Sequence, residues 1–315
     1  MSSSGQNPPS DSSKPSQPLL LPSSPAEPDP STATSSVLSK DIPLNPTNQT
    51  FVRLFLPRKT LEGYSSSTTN QKLPLIFYYH GGGFVRLSAT STPFHVFCSN
   101  MALHLQAIIV SVEYRLAPQH RLPAAYDDAV EALHWIKTTH EDWISKFADL
   151  SSCFLMGTSA GGNIAYHAAI RAFEEDLGPL IIRGLLLHHP FFGGAERTGS
   201  ELRMENDQFL PLHASDQAWK LSLPVGANRD HEYCCAVAGA GSDRCDRILK
   251  MGWRVFVAGC YGDPLIDRQM ELVKMFEGKG IETVTYYSEG NHGLEITEPS
   301  KAHYLFLALK CFISG

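Results

Sequence analysis

An alternating α/β domain, with a mostly parallel sheet covered by helices on both faces, is the fold class that these 315 residues predict. Two observations carry the prediction. From about residue 50, short continuous apolar runs recur, as expected of strands buried on both faces. Between those runs lie segments with apolar residues at helical spacing. The length allows one large domain or two small ones, and no internal repeat divides it.

In chain order, residues 1–36 are dominated by Ser and Pro, with only Leu19-Leu20-Leu21 as an apolar cluster. Such a stretch cannot offset its ordering entropy and reads as a disordered tail. No basic end followed by an apolar segment precedes residue 50, so a secretory signal is not expected. The tail's prolines, with Lys14 its only basic residue, do not suit an amphipathic transit helix, which leaves the cytoplasm as the expected compartment. Residues 37–315 read as one folded domain, with cap elements at about 37–50 and 191–250. Phe51–Leu56 alternates like a half-buried strand. Leu75–Tyr79, Ala107–Val112, Cys153–Met156, Leu185–Leu187 and Val255–Ala258 are buried-strand runs, and Thr283–Tyr287 is a weaker candidate. Asp127–Lys137, Asn163–Phe173, Asp267–Phe276 and Ala302–Phe312 read as helices. The Gly-, polar- and Cys-rich stretch 191–250 breaks the rhythm and is large enough to lie over the sheet's C-terminal edge.

Composition narrows the function classes. A 43% hydrophobic and 18% charged chain has material for a full core, which excludes a wholly disordered or fibrous protein. The formal charge of −6 is mild, and no basic run suggests nucleic acid or an anionic membrane as a partner. The apolar runs fall far short of the ~20 residues that a membrane helix needs. A small-molecule substrate and a monomer or weak dimer are the expectations that remain. The seven scattered cysteines form no disulfide framework and no CxxC pair. Cys234-Cys235 reads as two free thiols on a loop rather than a redox pair.

The strongest chemical signal is Gly157-Thr158-Ser159-Ala160-Gly161-Gly162-Asn163, which follows an apolar run and opens an Ala-rich helix. Gly-x-Ser-x-Gly between strand and helix is the nucleophile-elbow pattern, a turn sharp enough to present the serine hydroxyl at a helix N-terminus. His80-Gly81-Gly82-Gly83-Phe84 follows an earlier strand. Its unobstructed N–H groups at Gly82 and Gly83, with that of Ala160, are candidates for an oxyanion hole. His80 reads as a residue that fixes this loop. The acid and base should follow the serine in that order. Asp263 lies just past a strand end, where a loop carboxylate reaches a histidine, whereas Asp267 reads as a capping or first-turn residue. His292, in Gly290-Asn291-His292-Gly293, alone among thirteen histidines has both the order and a loop setting. His167, His188 and His189 read as core or pocket-wall residues.

These blocks occur together and in order with Tyr114–Pro118, Leu122–Asp128 and Asp263–Asp267. The set resembles the plant carboxylesterases of the hormone-sensitive-lipase-like branch of the α/β-hydrolases, over about residues 37–315. That resemblance implies an α/β-hydrolase fold and a Ser159–His292–Asp263 triad. It implies oxyanion donors at Gly82, Gly83 and Ala160, and structural ion-pair positions at Arg115 and Asp127 or Asp128. Two departures stand out: Thr158 occupies a position that is usually acidic, and Gln119-His120 replaces the usual Glu-His.

The resulting expectation is a serine ester hydrolase that works through an acyl-enzyme and needs no metal or organic cofactor. Phe84, Phe191 and Phe192 are expected to line a pocket for neutral, apolar, small-to-medium esters. The alternatives are a specialised-metabolism enzyme that couples ester hydrolysis to decarboxylation or catalyses elimination, and, from another class, a hormone-receptor-type ligand binder. Such receptors resemble these esterases but lack the catalytic histidine, so His292 argues against that reading.

Overall fold

The computed structural model describes residues 24–29, 35–64, 72–237 and 241–315. The chain runs β1 (Val37–Asn45), β2 (Thr50–Pro57), α1 (Arg58–Tyr64), β3 (Leu73–Tyr79), α2 (Thr92–Leu105), β4 (Ile108–Glu113), α3 (Ala124–Thr138) and α4 (Asp142–Phe147). It continues through β5 (Ala148–Thr158), α5 (Ala160–Ala172), β6 (Ile182–His188), α6 (Gly199–Arg203), α7 (Leu212–Ser222) and α8 (Gly241–Lys250). The last elements are β7 (Arg254–Cys260), α9 (Ile266–Gly278), β8 (Thr283–Ser288), α10 (Leu294–Thr297) and α11 (Ala302–Ser314).

The strands form one eight-stranded sheet in the order β1-β2-β4-β3-β5-β6-β7-β8. β1 and β2 pair antiparallel, as do β2 and β4, and every later pairing is parallel. The continuous apolar runs are explained by a core on each face. Along β3, Leu75, Phe77 and Tyr79 enter the core with α3, α5 and α9, while Ile76 and Tyr78 enter the one with α2 and α11. A strand whose successive side chains are all buried has no reason to alternate. β5 sits centrally between β3 and β6, so its C-terminal end opens into the crevice where doubly wound sheets bind ligands.

Three segments differ from expectation. Residues 37–45 are the edge strand β1, hydrogen-bonded along β2, and do not cap the pocket. Pro43 and the register shift between Pro43 and Asn45 break its alternation, which hid the strand. Where a tail is expected, residues 24–29 run along the body. Ala26 N–H donates to Thr90 O at 2.8 Å, Thr92 Oγ1 to Ser24 O at 2.8 Å, and the buried Arg53 to Ala26 O at 2.7 Å. Residues 1–23 and 30–34 of that tail, with Leu19–Leu21, lie outside the described residues. The 191–250 insertion divides. The loop before α7 and α7 itself lie over the crevice, whereas α8 packs beside α5 and α9 in the helical layer. All seven cysteines are free thiols, Cys234 and Cys235 included, and all but Cys311 are buried. Among the described residues no helix is long and apolar enough to cross a membrane.

Candidate active site

The turn from β5 into α5 places Ser159 at φ 57° and ψ −120°, a conformation that costs a non-glycine residue of order 1–3 kcal/mol and is held by its surroundings. Those surroundings are close. A β-carbon on Gly157 would lie 2.0 Å from Gly161 O, and one on Gly161 would lie 1.8 Å from Tyr79 O. Side chains at either position would push the turn apart. The backbone is anchored on both sides by Ser159 N–H to His188 O and Phe191 N–H to Ser159 O, each at 2.9 Å.

Ser159 Oγ is 2.9 Å from His292 Nε2, and His292 Nδ1 is 2.9 Å from Asp263 Oδ2. The Ser159 hydroxyl therefore donates to Nε2 while Nδ1–H donates to the carboxylate. Asp263 is wholly buried and also accepts from Gln269 Nε2 and Leu265 N–H, each at 2.8 Å. Burial works to raise its pKa, but the His292 and His189 partners outweigh it and hold the carboxyl well below the usual range. Asp267 lies in the first turn of α9 and accepts from Ser200 N–H at 2.7 Å, so it ties α6 to the body and stays clear of the serine.

The oxyanion-loop candidates surround the same hydroxyl. Gly81, Gly82 and Gly83 line the pocket beside Ser159, with Gly82 at φ 120° and Gly83 at φ 63°. The N–H groups of Gly82, Gly83 and Ala160 donate to no other group among the described residues. His80 is fully buried, with Nδ1 2.7 Å from Gly81 O and its ring stacked on Tyr114 at 4.2 Å. Burial lowers its pKa to about 4, so it is neutral and fixes the loop.

The pocket in front of Ser159 has a volume of about 870 Å³. Val85, Leu87, Phe94, Phe191, Leu210 and Ile296 give it apolar walls, with Arg86, His213 and Gln217 as polar points. Of the expected aromatic wall, only Phe191 faces the cavity. Phe84 sits behind it at 6.1 Å between ring centres, and Phe192 turns into the core against Tyr166. Both are core residues: Phe192 points away from its neighbour Phe191, and Phe84, on the loop after β3, packs against Phe191 and Trp219. Phe209, Leu210 and α7 residues were not singled out in sequence, since nothing local tells a cap helix from a flanking one.

Behind Ser159 lies a polar cluster that sequence reasoning also missed. His189 Nδ1 is 2.7 Å from Asp263 Oδ2 and its Nε2 is 3.1 Å from Glu295 Oε2. His188 Nε2 is 3.2 Å from the same Glu295 oxygen, and its Nδ1 is 2.9 Å from Thr158 Oγ1. Thr158 continues to Tyr78 Oη at 2.8 Å, so the residue in the usually acidic position is one link in this chain. The available signals were His188-His189 closing an apolar run and Glu295 three residues after His292, in the first turn of the helix that follows it. His167 is elsewhere, stacked on Tyr126 and neutral through burial. Arg115 binds the buried Asp128 through Nε and Nη2 at 2.7–3.0 Å, while Asp127 pairs with Arg171.

Comparison with known proteins adds family to geometry. Residues 76–296 match the family described as the alpha/beta hydrolase fold. The chain is 51% identical over 296 residues to carboxylesterase 20 of Arabidopsis thaliana, covering 93% of this chain and 90% of that one. It is 50% identical to a 3-O-acetylpapaveroxine carboxylesterase of Papaver somniferum, covering 87% of this chain and 90% of the relative. A solved esterase of Pyrobaculum calidifontis superposes with a TM-score of 0.70 at 24% identity, over 88% of this chain and 84% of that one, which supports the fold. The chain belongs to the plant carboxylesterases of the hormone-sensitive-lipase-like α/β-hydrolases.

Proposed function

We propose that this serine ester hydrolase uses Ser159 as nucleophile, His292 as general base and acid, and Asp263 to orient the imidazole. The observation that carries the assignment is the continuous Ser159–His292–Asp263 hydrogen-bond line, in which each contact is 2.9 Å. As the Ser159 Oγ attacks the ester carbonyl carbon, its proton passes to His292 Nε2. The carbonyl electron pair moves onto oxygen, which accepts hydrogen bonds from the N–H groups of Gly82, Gly83 and Ala160. Collapse breaks the bond to the alcohol, which takes the proton from His292. Water then repeats the sequence on the acyl-serine and releases the acid.

The apolar wall supports small-to-medium, largely neutral esters with short acyl groups as substrates. One relative is named for an O-acetyl ester, which agrees with that size of acyl group. The in-line His292 favours turnover over a purely ligand-binding role. The seven free thiols suit a reducing compartment such as the cytosol. The test is labelling by an organophosphate. One phosphoryl adduct on Ser159 with parallel loss of nitrophenyl acetate hydrolysis supports the assignment, and an adduct on another serine with that loss overturns it.

A further inference from the structure

A catalytic aspartate needs only one histidine, yet Asp263 has two. His189 is completely buried and has carboxylate oxygens on both ring nitrogens, Asp263 Oδ2 at 2.7 Å and Glu295 Oε2 at 3.1 Å. An ionised carboxylate only accepts hydrogen bonds, so satisfying both contacts needs a proton on each nitrogen. Glu295 is itself 3% exposed, and two unpaired carboxylates this deep would be costly. Among the described residues no lysine or arginine is hydrogen-bonded or ion-paired to either one. His188 needs no charge, because one ring nitrogen meets Glu295 and the other meets a hydroxyl, Thr158 Oγ1, that can donate to it, and burial lowers its pKa. Only His189 is left to balance the pair.

We propose that His189 stands as an imidazolium clamped between Asp263 and Glu295, and that it is a positioning residue holding the Asp263 carboxylate in line with His292. The inference rests on the triad reading above. The hydrogen bonds then run in one direction without conflict. Tyr78 donates to Thr158, Thr158 to His188, His188 and His189 to Glu295, and His189 and His292 to Asp263. The backbone secures the position, since His189 N–H donates to Ala258 O at 2.7 Å from a left-handed φ of 46°. Burial alone would discharge His189, but its contacts with Asp263, Cys260 and Glu295 raise its pKa well above the ordinary value. Hydrogen bonds from His188 and His189 hold Glu295 below the carboxylate range against its burial.

The role has an electrostatic consequence at His292. That ring faces Ser159 from the elbow, Asp263 from the loop after β7, and His189 from the end of β6, 5.3 Å between ring centres. One shell further out stand His188 of β6, Glu295 of α10, Cys260 of β7 and Tyr286 of β8. With Asp263 and Glu295 negative and His189 positive, the cluster carries one net negative charge, which the imidazolium formed during catalysis cancels. Removing the cation leaves His292 in a more negative field, and removing Glu295 leaves it in a more positive one.

The experiment uses the full chain with ¹⁵N-labelled histidine, plus Glu295→Gln and His189→Gln. In the resting wild type, His189 is expected to show two ring nitrogens that stay protonated throughout the pH range in which the enzyme is active. Both kcat/KM profiles are then read on nitrophenyl acetate. His189→Gln is expected to lower kcat by about 10- to 100-fold with KM little changed, because the aspartate loses its alignment. Its acid limb should move up by about one pH unit, and that of Glu295→Gln should move down. A purely structural role would not shift the two limbs in opposite directions. A neutral or titrating His189 overturns the proposal, as do limbs that coincide with wild type or move together. If His189→Gln does not fold, the wild-type nitrogen signals and the Glu295→Gln limb still decide. The ring signals are read without turnover, so an error in assigning Ser159 would show as an active Ser159→Ala and not as a change in His189.

Discussion

The two sides of Ser159 are built from opposite materials. Behind it, Asp263, His189, Glu295, His188, Thr158 and Tyr78 form a continuous buried hydrogen-bond chain, each bonded to the next at 3.2 Å or less. In front, Val85, Leu87, Phe94, Phe191, Phe209, Leu210 and Ile296 supply the apolar part of the pocket wall, and among the described residues no carboxylate lines it. The rear can hold charge in a low-dielectric interior because every charge has a fixed partner. The front holds no such paired network: among the described residues Arg86 is the one Lys, Arg, Asp or Glu side chain that lines it, and the apolar surface around it leaves room for an apolar substrate. On the proposed mechanism, positioning is a property of the rear, and selection a property of the front.

The largest expected effect lies where the two sides meet. Ser159→Ala should lower kcat by about 10⁶ while leaving the melting temperature near that of the wild type. Retention of more than a few per cent of activity in purified protein would break the comparison at its centre. Next comes the rear alone: Asp263→Asn should cost about 10⁴ in kcat, as loss of the orienting acid does in serine proteases. Asp267→Asn should cost far less, since its carboxylate serves the start of α6. The reverse ranking, measured by steady-state kinetics on one ester, would mean that the acid is misassigned.

Stability gives the rear a second signature. Glu295 has its pKa depressed on folding, so its contribution is present above about pH 4.3, the unfolded value, and fades as pH falls towards the folded one. The melting-temperature gap between wild type and Glu295→Gln should therefore be widest near neutrality and close in acid. A constant gap from pH 7 to pH 3 would contradict this.

The front should respond more gently. Deleting residues 2–29 removes Ser24 from the pocket wall and Ala26 from Arg53. We expect KM to rise several-fold and the melting point to fall by a few degrees, with kcat nearly kept; one lost hydrogen bond is worth about 1 kcal/mol. Unchanged KM and melting temperature would return the whole segment to the status of a dispensable tail. The mildest prediction is chain length: acetate and butyrate nitrophenyl esters should be hydrolysed faster than long-chain ones. Faster cleavage of long acyl chains would show that the front is larger in use than its 870 Å³.

Much of this was readable in the residues. Buried apolar runs became β3 to β7 because a two-sided core demands apolar side chains at every position. The three side chains proposed as the triad, Ser159, Asp263 and His292, could be picked out because each sits in a distinctive local pattern: a glycine-flanked turn, a strand-end loop and a late glycine-flanked loop. Local pattern also misled. Residues 37–45 looked like cap, since an edge strand pairs on one side only and tolerates Pro43. Residues 24–29 looked like tail, since their order comes from partners at Arg53, Thr90 and Thr92.

The sequence by itself determined the sheet's central strands and the glycine-flanked turn at Ser159, which depend on neighbours within a few residues. Only the tertiary structure decided that His189 shares Asp263 with His292, that Glu295 closes the chain, and that Phe191 faces the cavity while Phe84 and Phe192 do not. The reason is physical. A side chain's type follows from local chemistry, but its partner is set by which strand ends meet, and Asp263 and His189 are separated by 74 residues.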